Sequence, residues 1–150
     1  MSLTRMLTTL GAALLLASVL GAGVSRAQTR LPNPILFLTG QDYFSTNGQN
    51  FVRYRFDVLN KSAYPAELFA RAPGLPPCGN NANAARSWVD IFDQRGHRLY
   101  GFCALESPNA LGQIWFALPE GQIPPSYVYI EINDRQTNTK YRSNLADTVP

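Results

Sequence analysis

His97 is the only histidine in this 150-residue sequence, so acid–base or nucleophilic chemistry of the commonest kind would have to be organised around it. It stands between Gly96 and Arg98, in a stretch that reads as a tight hairpin turn. A catalytic histidine needs a nucleophile on one side and an orienting acid on the other, and a turn residue is expected to be solvated instead. The carboxylates Asp90, Asp93, Glu106, Glu120, Glu131 and Asp134 could converge from different strands. A glycosidase would need two of them facing each other across a groove, and their spacing singles out no pair. The sequence beyond residue 27 contains no nucleophile elbow, no metal-binding histidine pair and no phosphate-cradling glycine loop. No catalytic, metal-ligating or cofactor-binding residue is therefore assigned, and no cofactor is expected.

Cys78 and Cys103 are the only cysteines. Two cysteines and one histidine make no recognisable metal site. An even count in an oxidising compartment favours a disulfide, with two buried thiols as the alternative. Such a bridge would close a loop of 25 positions and contribute on the order of 3 kcal/mol by restricting the unfolded chain.

Aromatic residues are the most suggestive feature. Trp88, Phe92, Tyr100, Phe102, Trp115, Phe116, Tyr127 and Tyr129 fall in neighbouring strand-length runs and on both parities. One set must build a core, and an exposed second set would offer a platform for a sugar ring or a partner protein. Tyr100, Phe102 and Trp115 are the candidate ligand-binding residues. The alternative is that the connection 71–83 lies over the second face and buries it. Asp134 and Arg135 end a strand, where Arg135 is expected to pair with a neighbouring acid. Asn60-Lys61-Ser62 has the form of a glycosylation acceptor, read here as a chance occurrence.

These side chains need elements to hold them. Gly, Pro and Asn clusters recur at short intervals, and the runs between them have strand length. Residues 51–59 are the clearest: Val52, Tyr54, Phe56 and Val58 alternate with Arg53, Arg55 and Asp57, which is the period of a strand with one buried and one wet face. Further strands are expected at residues 33–39, 87–92, 98–105, 113–118, 127–132 and 140–143. Residues 41–49 read as a polar turn region and residues 67–70 as a short extended piece. The connection 71–83 is too rich in Pro and Gly for regular structure. The expectation is seven strands with no helix between them.

The first 27 residues have a different character. Arg5, an apolar run over residues 10–20, and small residues at Ser25 and Ala27 follow the order of a secretory signal peptide, with cleavage before Gln28. The apolar run is short of the ~20 residues that span a bilayer as a helix. The precursor carries a formal net charge of +3. Loss of Arg5 and Arg26 leaves eleven basic against ten acidic side chains, net +1, with no basic stripe to suggest nucleic acid. Residues 28–150 are of a size for one domain.

Seven short strands without alternating helices resemble an immunoglobulin-like sandwich, and within that group the fibronectin type III domain most closely. The likeness rests on the strand Val52 to Val58 and on Leu118, Pro119 and Gly121 leading to Tyr127. These look like that family's turn into a strand that begins with tyrosine. The resemblance implies that Tyr127 closes a corner by hydrogen bonding to upstream backbone. It implies a fold and no activity, because this fold carries many functions.

The combined expectation is an all-β, seven-stranded immunoglobulin-like antiparallel sandwich with one disulfide, Cys78 to Cys103, in the periplasm or secreted. Its function is expected to be non-catalytic binding of an envelope or extracellular protein or a glycan, without nucleic acid and without a membrane span after cleavage. The alternative is a small extracytoplasmic enzyme or accessory domain acting on an envelope polymer or glycan. Protein isolated from its natural host should begin at Gln28, as read by intact mass; a species retaining Met1 in a membrane fraction would overturn the export reading.

Overall fold

The alternation of residues 51–58 decides how the chain folds. Tyr54, Phe56 and Val58 are buried, Phe56 completely, while Arg55 turns outward. The computed structural model describes residues 30–80 and 84–149, so the leader and its cleavage site lie outside the described residues. The strands are β1 (Leu36–Thr46), β2 (Gln49–Val58), β3 (Ser87–Asp93), β4 (Arg98–Phe102), β5 (Ile114–Pro119), β6 (Tyr127–Asp134), β7 (Thr139–Arg142) and the two-residue β8 (Ala146–Asp147). One sheet has the order β1-β2-β5, the other β4-β3-β6-β7 with β8 also on β6, and all pairings are antiparallel. This is an immunoglobulin-like sandwich. In it β4 lies beside β3 rather than beside β5.

Register carries the core. Tyr54 lies opposite Phe116 and Phe56 opposite Ile114, and the Phe116 ring sits 4.9 Å from Tyr54 and 5.9 Å from Phe56, centre to centre. Val89 and Ile91 of β3 pair with Ile132 and Ile130 of β6, and all four are fully buried in the same cluster. A one-residue slip in either sheet would send its whole apolar set to water.

Three local expectations need correction. Residues 41–49 are not a loose turn: β1 continues to Thr46 and pairs down to Thr46 opposite Gln49, closed by Asn47 and Gly48 at φ 52° and 75°. Asn-Gly is the usual pair for a two-residue turn of that handedness, because both central residues need positive φ. Residues 67–70 are not extended: Ala66–Phe69 form a 3₁₀ turn that buries Leu68 and Phe69. The last strand is interrupted at Asn144, which makes β8 an eighth strand. The Asn144 side chain accepts the Leu36 N–H (2.8 Å) and donates to the Leu36 C=O (2.9 Å), so one amide replaces a rung of ladder on the outer edge of β1.

Tyr127 does not close a corner. It shares the outward parity of Tyr129 and Glu131, is 43% exposed, and its hydroxyl bonds to no backbone group among the described residues. Val128, one position on, supplies the buried side chain instead.

Cys78 and Cys103 are joined, with Cα atoms 6.0 Å apart. The connection that leads to Cys78 is further held by Ala72 N–H on Ala84 C=O (3.2 Å), and by Arg135, which donates to Pro76 C=O and Ala85 C=O. Arg135 does not pair with an acid: its guanidinium lies 4.1 Å from the Trp88 ring centre. The acid beside it, Asp134, is taken by Arg86 through two bonds of 2.8 and 2.6 Å, by the Thr137 hydroxyl (2.7 Å) and by the Gln136 N–H (3.1 Å). Burial pushes the Asp134 carboxyl up, but the bonds from Arg86, Thr137 and Gln136 outweigh it and hold the group at about 2.

Because the folded-state value lies below the ordinary 3.8, Asp134 stabilises the fold above about pH 4, and that contribution is lost as pH falls toward 2. The amount is about 2 kcal/mol by linkage. Asp134→Asn, which strands Arg86, should cost about 3–5 kcal/mol at neutral pH and flatten the acid limb of stability between pH 4 and 2. Denaturant titrations at stepped pH check both, and identical acid limbs in the two proteins would refute the assignment.

Candidate functional site

The outer face of the β1-β2-β5 sheet is built by the residues that β2 does not send inward. Phe51 lies opposite Phe44 and Arg53 opposite Asp42, while Arg55 lies opposite Trp115 on the other side. Across from Arg53 on β5 stands Ala117, whose small side chain leaves room for the guanidinium to lie flat. Arg53 reaches 5.5 Å from the Phe44 ring centre and 5.7 Å from that of Trp115. Phe44 in turn stacks on Phe51 at 5.4 Å.

Tyr100 and Phe102 arrive from the other sheet. They lie opposite Ile91 and Val89, both fully buried, so they point to the interior side of their own sheet. Yet β4 is its outermost strand, and β5 is the edge of the facing sheet. At this open side Trp115, which points outward from β5, meets them. The Trp115 and Tyr100 rings stack at 4.8 Å with 28° between planes, and Phe102 packs edge-on against Tyr100 (5.1 Å) and Trp115 (6.3 Å). The structure thus brings all three candidate residues together. They do not share one face: Tyr100 and Phe102 have interior parity and Trp115 outward parity, and they meet because β4 and β5 are both edge strands.

The result is a continuous strip from Phe51 through Phe44, Arg53, Trp115 and Tyr100 to Phe102, all of it partly solvent-accessible, with Tyr100 39% exposed. The bonds that hold residues 71–80 go to Ala84, Cys103 and Arg135. Sequence reasoning missed Phe44, Phe51, Arg53 and Arg55. For Phe51, Arg53 and Arg55 the signal was present in the alternation of β2, where the arginines read as a wet face and nothing more, while Phe44 fell in the stretch read as a turn.

Beside Trp115 is a concavity of about 430 Å³ lined by Thr39, Arg53, Arg55, Gly112, Gln113 and Ile114. Asp42 sits at its edge, bound by Arg53 through two bonds (2.9 and 3.2 Å) and paired with Arg55. The Arg53 hydrogen bonds foremost, with the charges of both arginines, hold the Asp42 carboxyl below its ordinary value. Gly112 closes the floor: a Cβ there would stand 3.1 Å from the Asp57 Oδ1 and Lys61 Nζ atoms, which pair at 2.6 Å. At the other end of the strip Glu120 accepts a bond from Asn50 (3.0 Å).

The residues with catalytic potential are not gathered here. His97 is an exposed turn residue whose Nδ1 lies 2.9 Å from Asp93, while Asp93 also accepts the His97 and Arg95 N–H groups. Asp90 pairs with Arg98 (2.7 Å), Glu131 with Lys140 (3.3 Å) and Asp134 with Arg86. Glu106 lines a separate concavity with Phe69 and Leu105. Among the described residues no group of three or more His, Cys, Asp or Glu side chains could hold a metal ion. Asn60, the glycosylation-like asparagine, is occupied in structure: its amide donates to Asn33 C=O and accepts the Ile35 N–H, each at 2.9 Å.

No family model matches the chain, and no curated protein matches it. Among solved structures it is similar to the human pre-T cell receptor at 14% identity, over 76% of this chain and 97% of that one, with a TM-score of 0.40. No helix among the described residues is long and apolar enough to cross a membrane.

A strip that is only half buried should be separable from the core beneath it. Phe116→Ala should cost about 3–5 kcal/mol, whereas Trp115→Ala, one residue away on the opposite face, should cost about 1–2 kcal/mol from lost ring contacts. Equal losses in a denaturant titration would make Trp115 a core residue and remove the strip as a candidate surface.

Proposed function

We propose that this protein is a non-catalytic extracytoplasmic binding module, exported with loss of residues 1–27, that engages a protein partner through the strip running from Phe51 to Phe102. The observation that carries the reading is the packing of Trp115, which stacks on the Tyr100 ring at 4.8 Å and lies 5.7 Å from the Arg53 guanidinium. A sugar platform needs an open ring face, and the Trp115 ring already stacks on Tyr100, with the Arg53 guanidinium 5.7 Å from its centre. What the strip offers a partner is partly exposed aromatic rings and guanidinium N–H groups. Trp, Tyr and Arg are the residues that most often dominate protein–protein affinity. Their mutual packing also means that they are ordered before binding, which lowers the entropic cost of association.

The disulfide supports the compartment. The alternative, an enzyme or accessory domain acting on an envelope polymer, would require free acids or a free histidine in a cleft. Asp90, Glu131 and Asp134 are each paired with an arginine or lysine and Asp93 with the exposed His97, while Glu106 lines a concavity whose other lining residues include no second acid and no histidine.

The test is affinity capture from the host's envelope and medium fractions with purified wild-type protein and with Trp115→Ala/Tyr100→Ala. A polypeptide retained by the wild type, competed by excess soluble wild type and weakened at least about 30-fold by the double substitution is the expected result, matching a loss of about 2 kcal/mol or more at a dominant contact. Retention unchanged by the substitutions would move the binding surface elsewhere. Recovery of a glycan in place of a polypeptide would overturn the choice of partner.

A further inference from the structure

The strip is not uniform in charge. Its Phe51 end carries Glu120, and its Trp115 end carries two arginines against one acid, Asp42. The two arginines are also not equivalent. Arg53 is committed, with Nε and Nη2 bound to Asp42 and the Phe44 and Trp115 ring centres 5.5 and 5.7 Å from its guanidinium carbon. Arg55 is the more exposed, with 52% of its side chain open to solvent, and it engages Asp42 through Nη2 alone. Among the described residues its Nε and Nη1 hydrogen-bond to nothing else, and the backbone that carries it is braced by the Thr39 hydroxyl donating to Arg55 C=O at 3.1 Å. A guanidinium with donors to spare, at the mouth of a concavity and opposite Trp115 in the ladder, is suited to a carboxylate.

We infer that the concavity beside Trp115 accepts the carboxylate of an acidic side chain in an extended peptide segment of the partner, with Arg55 as the residue that binds it. The inference rests on the binding-module reading and gives that partner its chemistry. Asp42 satisfies one positive charge of two, so an incoming carboxylate completes the local balance. The half-exposed Tyr100 and Phe102 rings next to Trp115 offer contact to a large apolar residue flanking the acid. The resulting motif is an acidic residue next to a large apolar one. A uronic acid carries the same charge, and digalacturonate is the probe that tells the two apart.

The experiment is a ¹⁵N-edited NMR titration of the purified protein with acetyl-Gly-Ile-Glu-Phe-Gly-amide, with its Gln twin, and with digalacturonate. The Glu peptide should shift the Trp115 indole and the Arg55 side-chain signals and bind at least about fivefold more tightly than the Gln twin, as expected for a hydrogen bond to a charged group. In Arg55→Gln the preference should fall to about one, and in the wild type added salt should weaken the Glu peptide alone. An unchanged amide spectrum away from β2 verifies that the variant is folded. Equal binding of the two peptides at Trp115 would overturn the carboxylate subsite and leave the binding module standing. So would Arg55-dependent binding of digalacturonate without binding of the Glu peptide. Absence of any shift at Trp115 while the strip still captures its partner would overturn the subsite too. Failure of the capture itself is the result that reaches the parent reading.

Discussion

Everything in this molecule depends on the register between β2 and its two neighbours. The side-chain period of a strand is two, so the pairing that sends Tyr54, Phe56 and Val58 into the core necessarily sends Phe51, Arg53 and Arg55 to the other face. The site is therefore not an addition to the fold but the reverse side of its best-buried strand. Burying the Phe56 side chain contributes about 1.5–3 kcal/mol, and a slip that exposed the Arg53 strip differently would forfeit that burial along with its neighbours'. The strength of the core thus fixes the geometry of the surface.

Closure at the ends follows a second rule. A two-sheet sandwich has edges, and unpaired edge backbone is both costly to bury and prone to wrong pairing. Here the outer edge of β1 is tied by side-chain amides in place of a long strand: Asn144 bonds both polar groups of Leu36, Gln41 donates to Thr148 C=O at 2.8 Å, and Asn60 holds the segment just before β1. An amide presents a donor and an acceptor with the spacing of a peptide group, so it caps an edge without extending the sheet. On the opposite side, between β4 and β5, ring packing fills the gap. That is why Tyr100 and Phe102, of interior parity, end up half exposed.

Much of this was legible in the sequence and some of it was not, for reasons that differ by residue. The alternation of residues 52–58 and the pairing of two cysteines could be read directly, because each follows from a local pattern or a count, whereas the meeting of Tyr100, Phe102 and Trp115 depends on where two edge strands face each other. The Asn47-Gly48 hairpin carried a readable signal, but the polar residues around it resemble a loop as much as an edge strand with a wet face. The exchange of partners at Asp134, which takes Arg86 and leaves Arg135 to stack on Trp88, depends on two segments 48 positions apart and has no local trace. Tyr127 failed for a subtler reason: a motif fixes which residue type stands at a position, whereas parity within the strand decides which face it takes.

The same logic explains why the arginines were passed over. A charged residue on the wet face of a strand is ordinarily solvated and contributes little. What changes the meaning of Arg53 is its surroundings in space: Ala117 opposite it leaves a shallow place, Phe44 and Trp115 flank that place, and Asp42 fixes the fork. None of these neighbours is adjacent in sequence, and none is unusual alone. A side chain with many rotamers is thereby held in one, and the ordering cost that a partner would otherwise have to meet on binding is already met by the fold. Arg55, two residues along the same strand, keeps the same acid but stands over the concavity rather than between rings. The structure therefore divides two chemically identical residues into one that organises the surface and one that remains free to meet what binds there.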